Sequence, residues 1–170
     1  MNLGIDHRLF AMKWMTERHI PDVYAIELSS FDHVWSERDF RRALKTDKAK
    51  VALINGHVVG YIVWSTGKRG LRITNLAVHP DWRRMGIARY MVKHLQNKLR
   101  NTTENFRWLS AMCVEHNSAA IQLLRSVGMV AIGVERSPYE ETDADGYVFQ
   151  WERELRTQPQ VQQQAECCGK

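Results

Sequence analysis

The run Leu76-Ala77-Val78-His79-Pro80-Asp81-Trp82-Arg83-Arg84-Met85-Gly86-Ile87-Ala88-Arg89 carries the residue types and spacing that speak most directly of chemistry. It reads as an apolar strand, a proline stop, a basic turn containing glycine, and the start of a helix. The first turn of a helix leaves backbone N–H groups unpaired and carries the positive end of the helix dipole, so it holds an anion well. Gly86 and Ala88 are small enough for phosphates to reach the main chain, and Arg83, Arg84 and Arg89 add charge that pairs with phosphate. This is the arrangement of a pyrophosphate site.

The elements that must position this turn follow from the flanking sequence. Phe10 to Met15 reads as a first strand. Pro21 fits the opening turn of a helix whose apolar positions are Ile20, Val23, Tyr24, Leu28 and Phe31. Ser36 and Asp39 form a capping-box-like pair ahead of a second helix that turns Phe40, Ala43 and Leu44 inward. Val51 to Ile54 and Val58 to Trp64 are strand-like, and Asn55-Gly56 between them suits a tight hairpin turn. After a turn at Gly67 to Gly70, Leu71 to Val78 is the central strand, followed by a helix from Ala88 to Leu99 with Met91, Val92, Leu95 and Leu99 on its apolar face. Trp108 to Val114 is a strand, and Ala119 to Val127 is a helix ending near Gly128. Met129 to Glu135 and Tyr147 to Trp151 are the last two strands. The expected order is β-α-α-β-β-β-α-β-α-β-β.

Composition bounds what this order can be. With 170 residues and 44% hydrophobic content the chain fits one compact domain. The expected division is an N-terminal extension over 1–9, the domain over 10–155 and a Gln-rich disordered tail over 156–170. No secretory signal pattern and no apolar run of about 20 residues is present, which points to the cytoplasm. Cys113 falls in a strand and Cys167-Cys168 in the polar tail, so neither a disulfide framework nor a metal site is indicated. A net charge of +5 suits a polyanionic ligand, while the scattered basic residues form no nucleic-acid-binding module. The six tryptophans have core packing as their default, apart from Trp82, which precedes the basic turn.

The segment from Val78 to Ala88 resembles motif A of the GNAT acetyltransferases, an Arg/Gln-x-x-Gly-x-Gly/Ala loop that Arg83, Gly86 and Ala88 match after Val78 and Pro80. That resemblance implies an α/β (α+β) GNAT fold: a mixed, mostly antiparallel central sheet with a parallel pair at its centre and helices on both faces. Within the superfamily, Ile26-Glu27, Phe31, Trp35-Ser36-Glu37 and Phe40 are similar to the N-terminal signature of the ribosomal-protein-alanine N-acetyltransferases. Asn117-Ser118-Ala119-Ala120-Ile121 is similar to their Asn-x-x-Ala-Ile segment, and the likeness continues through Arg136, Tyr139 and Asp143. The co-substrate so implied is acetyl-CoA. Leu76, Ala77 and Val78 would offer backbone groups to the acetyl and pantetheine portion. Arg83 and the run Arg84, Met85, Gly86, Ile87, Ala88 and Arg89 would cradle the pyrophosphate. Asn117 would bond to coenzyme A, and it is equally suited to capping the helix it opens.

The same resemblance exposes a departure. Where those enzymes carry a glutamate base on the strand after the cofactor helix and a tyrosine acid on the next helix, this chain has Met112 and Leu124, and neither can transfer a proton. Tyr139, in the loop between the last two strands, and Glu115, just beyond a strand end, are the candidate substitutes. Glu27 could line the acceptor cleft. Cys113 alternates away from Met112 and should lie in the core. His79 and His116 are expected to be exposed loop histidines. The implied chemistry is direct attack of a neutral amine on the thioester, with no covalent enzyme intermediate. The implied acceptor is the N-terminal α-amine of a protein such as a ribosomal protein. A small amine or a lysine stays open as acceptor, since Glu140, Glu141 and Asp143 around Tyr139 would also suit a cation, and Met112 with Leu124 leaves a silent acetyl-CoA binder open. Neither nucleic acid nor membrane is an expected partner.

Overall fold

A computed structural model describes residues 10–136 and 145–154. Seven strands form a single sheet in the order β1-β2-β3-β4-β5-β7-β6. They are β1 (Phe10–Trp14), β2 (Lys48–Ile54), β3 (His57–Thr66), β4 (Gly70–Val78), β5 (Trp108–Val114), β6 (Val130–Glu135) and β7 (Gly146–Glu152). Four α-helices join them: α1 (Ile20–Leu28), α2 (Glu37–Thr46), α3 (Ile87–Asn101) and α4 (Ser118–Ser126). Short 3-10 turns precede α1 (Glu17–His19) and α3 (Pro80–Trp82). Every strand pair is antiparallel except β4 with β5, which run parallel. The element order and the mixed sheet are those expected from the sequence.

Local signals account for most of the boundaries. Asn55 and Gly56 both take positive φ, 52° and 86°, which lets a two-residue turn follow the twist of β2 and β3. Ser36 and Asp39 cap α2 reciprocally, each backbone N–H bonded to the other's side chain at 2.9 and 3.2 Å. Gly128, with φ of 80°, ends the turn after α4.

The sheet separates two apolar layers, so helices cover both faces as expected. On one face α3 and α4 pack Ile87, Met91, Leu95, Leu99 and Leu124 onto Ile62, Trp64, Leu71, Ile73, Leu109 and Phe149. On the other, α1 and α2 pack Ile20, Val23, Ile26 and Phe40 onto Val51, Tyr61, Val63 and Ala77. Alternation along the strands makes this possible, since successive side chains of β3 point to opposite layers. Cys113 lies in the α3 layer as expected, and burial pushes its thiol pKa up.

The α1 face differs from the one the apolar spacing predicts. Leu28 is exposed, Tyr24 is half-buried, and the buried positions are Ile20, Val23, Ile26 and Glu27. The helix stops at Leu28, so Phe31 belongs to the following loop. Burial of a carboxylate in place of Leu28 is set by its partners, described below. Trp14 also departs from the core reading, at 53% exposure, while Trp64 is fully buried.

Candidate active site

The site is built where the parallel pair comes apart. β4 and β5 are paired from Gly70↔Trp108 to Ile73↔Ala111 and no further. Beyond that point Asn75–Val78 and Met112–Val114 diverge, leaving the β5-facing edge of β4 without a strand partner. The β3–β4 register also skips Thr74, since Trp64 pairs with Ile73 and Val63 with Asn75. A bulge of this kind bends the strand and re-aims its backbone. The main chain of Leu76, Ala77 and Val78 therefore lines an open slot between two strand ends.

At the end of β4 the chain makes the basic turn. Arg84 (φ 65°) and Gly86 (φ 84°) are both left-handed, which folds the backbone into a concavity of the kind that holds anions. Gly86 tolerates this φ without strain, and it caps α3 with no side-chain hydrogen bond. No acidic residue stands in the first turn. The N–H groups of Ile87, Ala88 and Arg89 thus face outward with neither an intrahelical acceptor nor a capping side chain. Arg84, Met85 and Arg89 are exposed around them. The geometry suits a pyrophosphate: small residues at the approach, free donors, and positive charge at the rim. Trp82 packs half-buried against the α3 core beneath the turn.

Arg83 is turned away from the concavity. Its Nε donates to the Val78 carbonyl at 3.0 Å, and its Nη2 donates to Ser30 Oγ at 2.9 Å and lies 3.5 Å from the Ser29 carbonyl. The guanidinium therefore straps the loop after α1 to the end of β4. The Arg83 backbone N–H donates to the Pro80 carbonyl at 3.2 Å.

Beside the β4 end of the slot, on the α1 face of the sheet, lies a polar cluster in an apolar layer. Glu27 is 1% exposed and Tyr61 0%. The Tyr61 hydroxyl donates to Glu27 Oε2. Asn75 Nδ2 donates to both carboxylate oxygens, at 3.2 and 3.3 Å, and the Trp35 N–H donates to Oε1 at 2.9 Å. Burial and the neighbouring carboxylate raise the Tyr61 pKa far enough to keep the phenol protonated at any working pH. Tyr61 is the register partner of Ala77, so the cluster sits beside the strand end that lines the slot. Through Trp35 it fixes one end of the 29–35 loop while Arg83 fixes the other.

The sequence offered Glu27 as a residue that could line the acceptor cleft and did not single out Tyr61 or Asn75, its partners in the structure. A signal was present for Tyr61, a polar group within the apolar run Val58 to Trp64, since a buried hydroxyl needs a partner; Asn75 shares β4 with Arg72 and Thr74 and does not stand out.

Of the other expected site residues, Asn117 caps α4, with its Oδ1 accepting from the Ala120 N–H at 3.0 Å. Glu115 is exposed beyond β5, its N–H bonded to the Asp145 carbonyl at 2.9 Å. Met112 is half-buried and faces away from the α3 layer that takes Ala111 and Cys113, so it lies on the same sheet face as Asn75 and Ala77. Leu124 is core. His116 is exposed and His79 half-buried. Tyr139, Glu140, Glu141, Asp143 and Cys167-Cys168 lie outside the described residues, as do the extension over 1–9 and residues 155–170. Among the described residues no cluster could hold a metal ion, and no helix is long and apolar enough to cross a membrane.

A sheet split at a parallel pair, beside an uncapped helix turn, is the arrangement that the resemblance to the GNAT acetyltransferases implies. The match extends to a family model, the acetyltransferase (GNAT) family, over residues 20–129, and the chain belongs to that family of acyltransferases. Among known proteins it is 28% identical to ribosomal protein bS18-alanine N-acetyltransferase of Escherichia coli strain K12 over 125 residues, 73% of this chain and 83% of that one. The crystal structure of the Escherichia coli ribosomal-protein-S18-alanine N-acetyltransferase superposes with a TM-score of 0.78 at 21% identity, covering 89% of this chain and 98% of that one. Arabidopsis thaliana Naa50, in complex with the bisubstrate analogue CoA-Ac-MVNAL, superposes with a TM-score of 0.72 at 17% identity, covering 84% and 97%.

Proposed function

We propose that this protein transfers the acetyl group of acetyl-CoA to the N-terminal α-amine of a protein such as a ribosomal protein. The observation that carries the transfer chemistry is the juxtaposition of the uncapped α3 turn with the open β4–β5 slot. The acceptor class rests on the similarity to the bS18-alanine acetyltransferase.

In this reading the N–H groups of the turn from Arg84 to Arg89 take the pyrophosphate, and Leu76 to Val78 hold the pantetheine and acetyl portion by main-chain bonds. Arg83 serves the site indirectly, by holding the loop beside it. The amine enters from the face bearing Asn75, Ala77 and Met112. It attacks the thioester carbonyl, the C–N bond forms as the C–S bond breaks, the amine loses a proton, and the departing thiolate gains one. Backbone N–H groups at the strand end polarise the carbonyl. With Met112 at the position of the base, proton removal falls to Tyr139 or to Glu115 acting through water. Losing one general acid or base costs about 10²–10⁴-fold, so positioning still leaves a working enzyme. Asn117 adds a contact to coenzyme A through the amide nitrogen that its capping role leaves available.

The test is incubation with acetyl-CoA and a panel of free-N-terminus peptides, lysine peptides and polyamines, read by mass spectrometry against a no-enzyme control. Acetylation of peptide α-amines is expected. Product on lysine or polyamines alone, or no product from a protein that binds acetyl-CoA, overturns the acceptor assignment.

A further inference from the structure

The far half of α3 carries a second, unrelated constellation. His94, Asn97, Lys98 and Asn101 recur at helical spacing on one flank of α3 and overhang the strands beside it. With Trp14 of β1, Lys50 of β2 and Trp64 of β3 they line a surface cleft of about 370 Å³. At the helical rise, its helix wall lies roughly 12–22 Å along the axis from Gly86. It is separate from the acyl-transfer site.

Four observations describe what this cleft lacks. Its wall holds two lysines and a histidine with no acidic residue among the lining side chains. Burial lowers the Lys50 pKa, with Lys98 adding to the shift, so the two lysine charges repel one another across the cleft; burial, with Lys50 and Lys98 adding to it, lowers that of His94 and favours its neutral form. The Trp64 indole is 1% exposed, and its N–H has no hydrogen-bond acceptor among the described residues. Trp14, with Lys50 Nζ 4.7 Å from its ring centroid and the Trp64 ring 5.9 Å away, is 53% exposed. The wall as a whole offers the positive charge of two lysines with no acidic partner, and a half-exposed aromatic ring at Trp14. A dianion on a planar ring answers both: phosphate oxygens relieve the charge repulsion and accept hydrogen bonds from the lysines, and the ring covers the Trp14 indole. The volume is that of a small ligand.

We propose that this cleft binds a nucleoside monophosphate, with its phosphate among Lys50, Lys98 and His94 and its base against Trp14. A phosphomonoester carries close to two negative charges near neutrality, matching the two lysines. The amides of Asn97 and Asn101 flank the position of the base edge.

The experiment is a titration of the full chain with AMP, inorganic phosphate and adenosine, followed by calorimetry and tryptophan fluorescence. It is run with and without saturating acetyl-CoA, so failure to bind acetyl-CoA is seen separately and leaves the answer for the cleft intact. AMP is expected to bind the acetyl-CoA-saturated protein at least tenfold more tightly than phosphate or adenosine, and to quench tryptophan emission. Lys50→Glu and Lys98→Glu, checked for unchanged melting, are each expected to weaken it at least tenfold, and Trp14→Leu to remove the advantage over phosphate. A 5′-phosphorylated trinucleotide distinguishes a free nucleotide from the end of an RNA strand; tight binding of either supports a nucleotide site. Absence of saturable AMP binding, displacement of AMP by acetyl-CoA, equal affinity for phosphate, or indifference to both lysine substitutions overturns the proposal.

Discussion

Tyr61→Phe removes one oxygen atom from a place where its loss can be read cleanly. The hydroxyl is buried, its ring packs edge-on against Phe40 at 5.4 Å, and its hydrogen goes to the equally buried Glu27 carboxylate. Phe keeps the ring packing and leaves the carboxylate with Asn75 and the Trp35 N–H as donors. A hydrogen bond to a charged group contributes about 1.5–3 kcal/mol, and with both side chains buried from solvent most of that should be lost. For a chain of this size the drop corresponds to roughly 3–12 °C in melting temperature. Urea unfolding of wild type, Tyr61→Phe, Glu27→Gln and the double variant measures it, with a coupling of at least about 1 kcal/mol expected between the two sites. Because Glu27 also holds the Trp35 end of the 29–35 loop, the variant should raise the acceptor KM while leaving acetyl-CoA affinity unchanged. Tyr61→Phe within about 0.5 kcal/mol of wild type, the range of an ordinary surface change, would refute the reasoning.

Four further outcomes follow from the same geometry. Arg83→Ala should cut the strap to Ser29, Ser30 and Val78, raising the acceptor KM several-fold with little change in acetyl-CoA Kd by calorimetry; the reverse split would return Arg83 to the pyrophosphate. Gly86→Glu puts bulk and negative charge at a left-handed cap of φ 84°, and acetyl-CoA binding should fall by at least about tenfold. Met112→Glu places a carboxylate on the slot face of β5 and should raise kcat by about tenfold, a fraction of the full worth of a general base, seen as a new acidic limb in the pH–rate profile. Stability should decline as pH falls from about 7.5 to 5.5, because burial, and then neighbouring cations, hold the His19 and His94 pKa values below 6.5. The unfolded chain then binds protons that the native state resists, and equal unfolding midpoints at the two pH values would contradict it. Asp39, held below 3.8 by its hydrogen bonds to Ser36, adds a separate loss only at lower pH, as the pH falls through its depressed folded value.

The sequence by itself determined the elements and the glycine-containing basic turn ahead of α3. Periodicity, Ser36 with Asp39, Asn55-Gly56 and the small residues at Gly86 and Ala88 act over a few residues, so their physics is local and can be read from the chain. The element order was legible for the same reason, whereas the mixed sheet with a parallel pair at its centre came from the family resemblance, and which strands form that pair only from the structure. Tertiary structure alone decided which side chains turned toward which neighbours. Arg83 and Arg84 are adjacent, yet only three-dimensional packing sends one to Ser30, 53 residues away, and leaves the other at the turn. Leu28 and Glu27 are likewise adjacent, and helix spacing favours burying the leucine. The carboxylate goes inside because Tyr61 and Asn75, 34 and 48 residues further on, supply the donors that offset its desolvation. Such partners lie beyond the reach of any local rule. The same holds for the cleft beside α3, where residues from three strands and a helix flank become one cationic, aromatic wall only when the sheet is assembled.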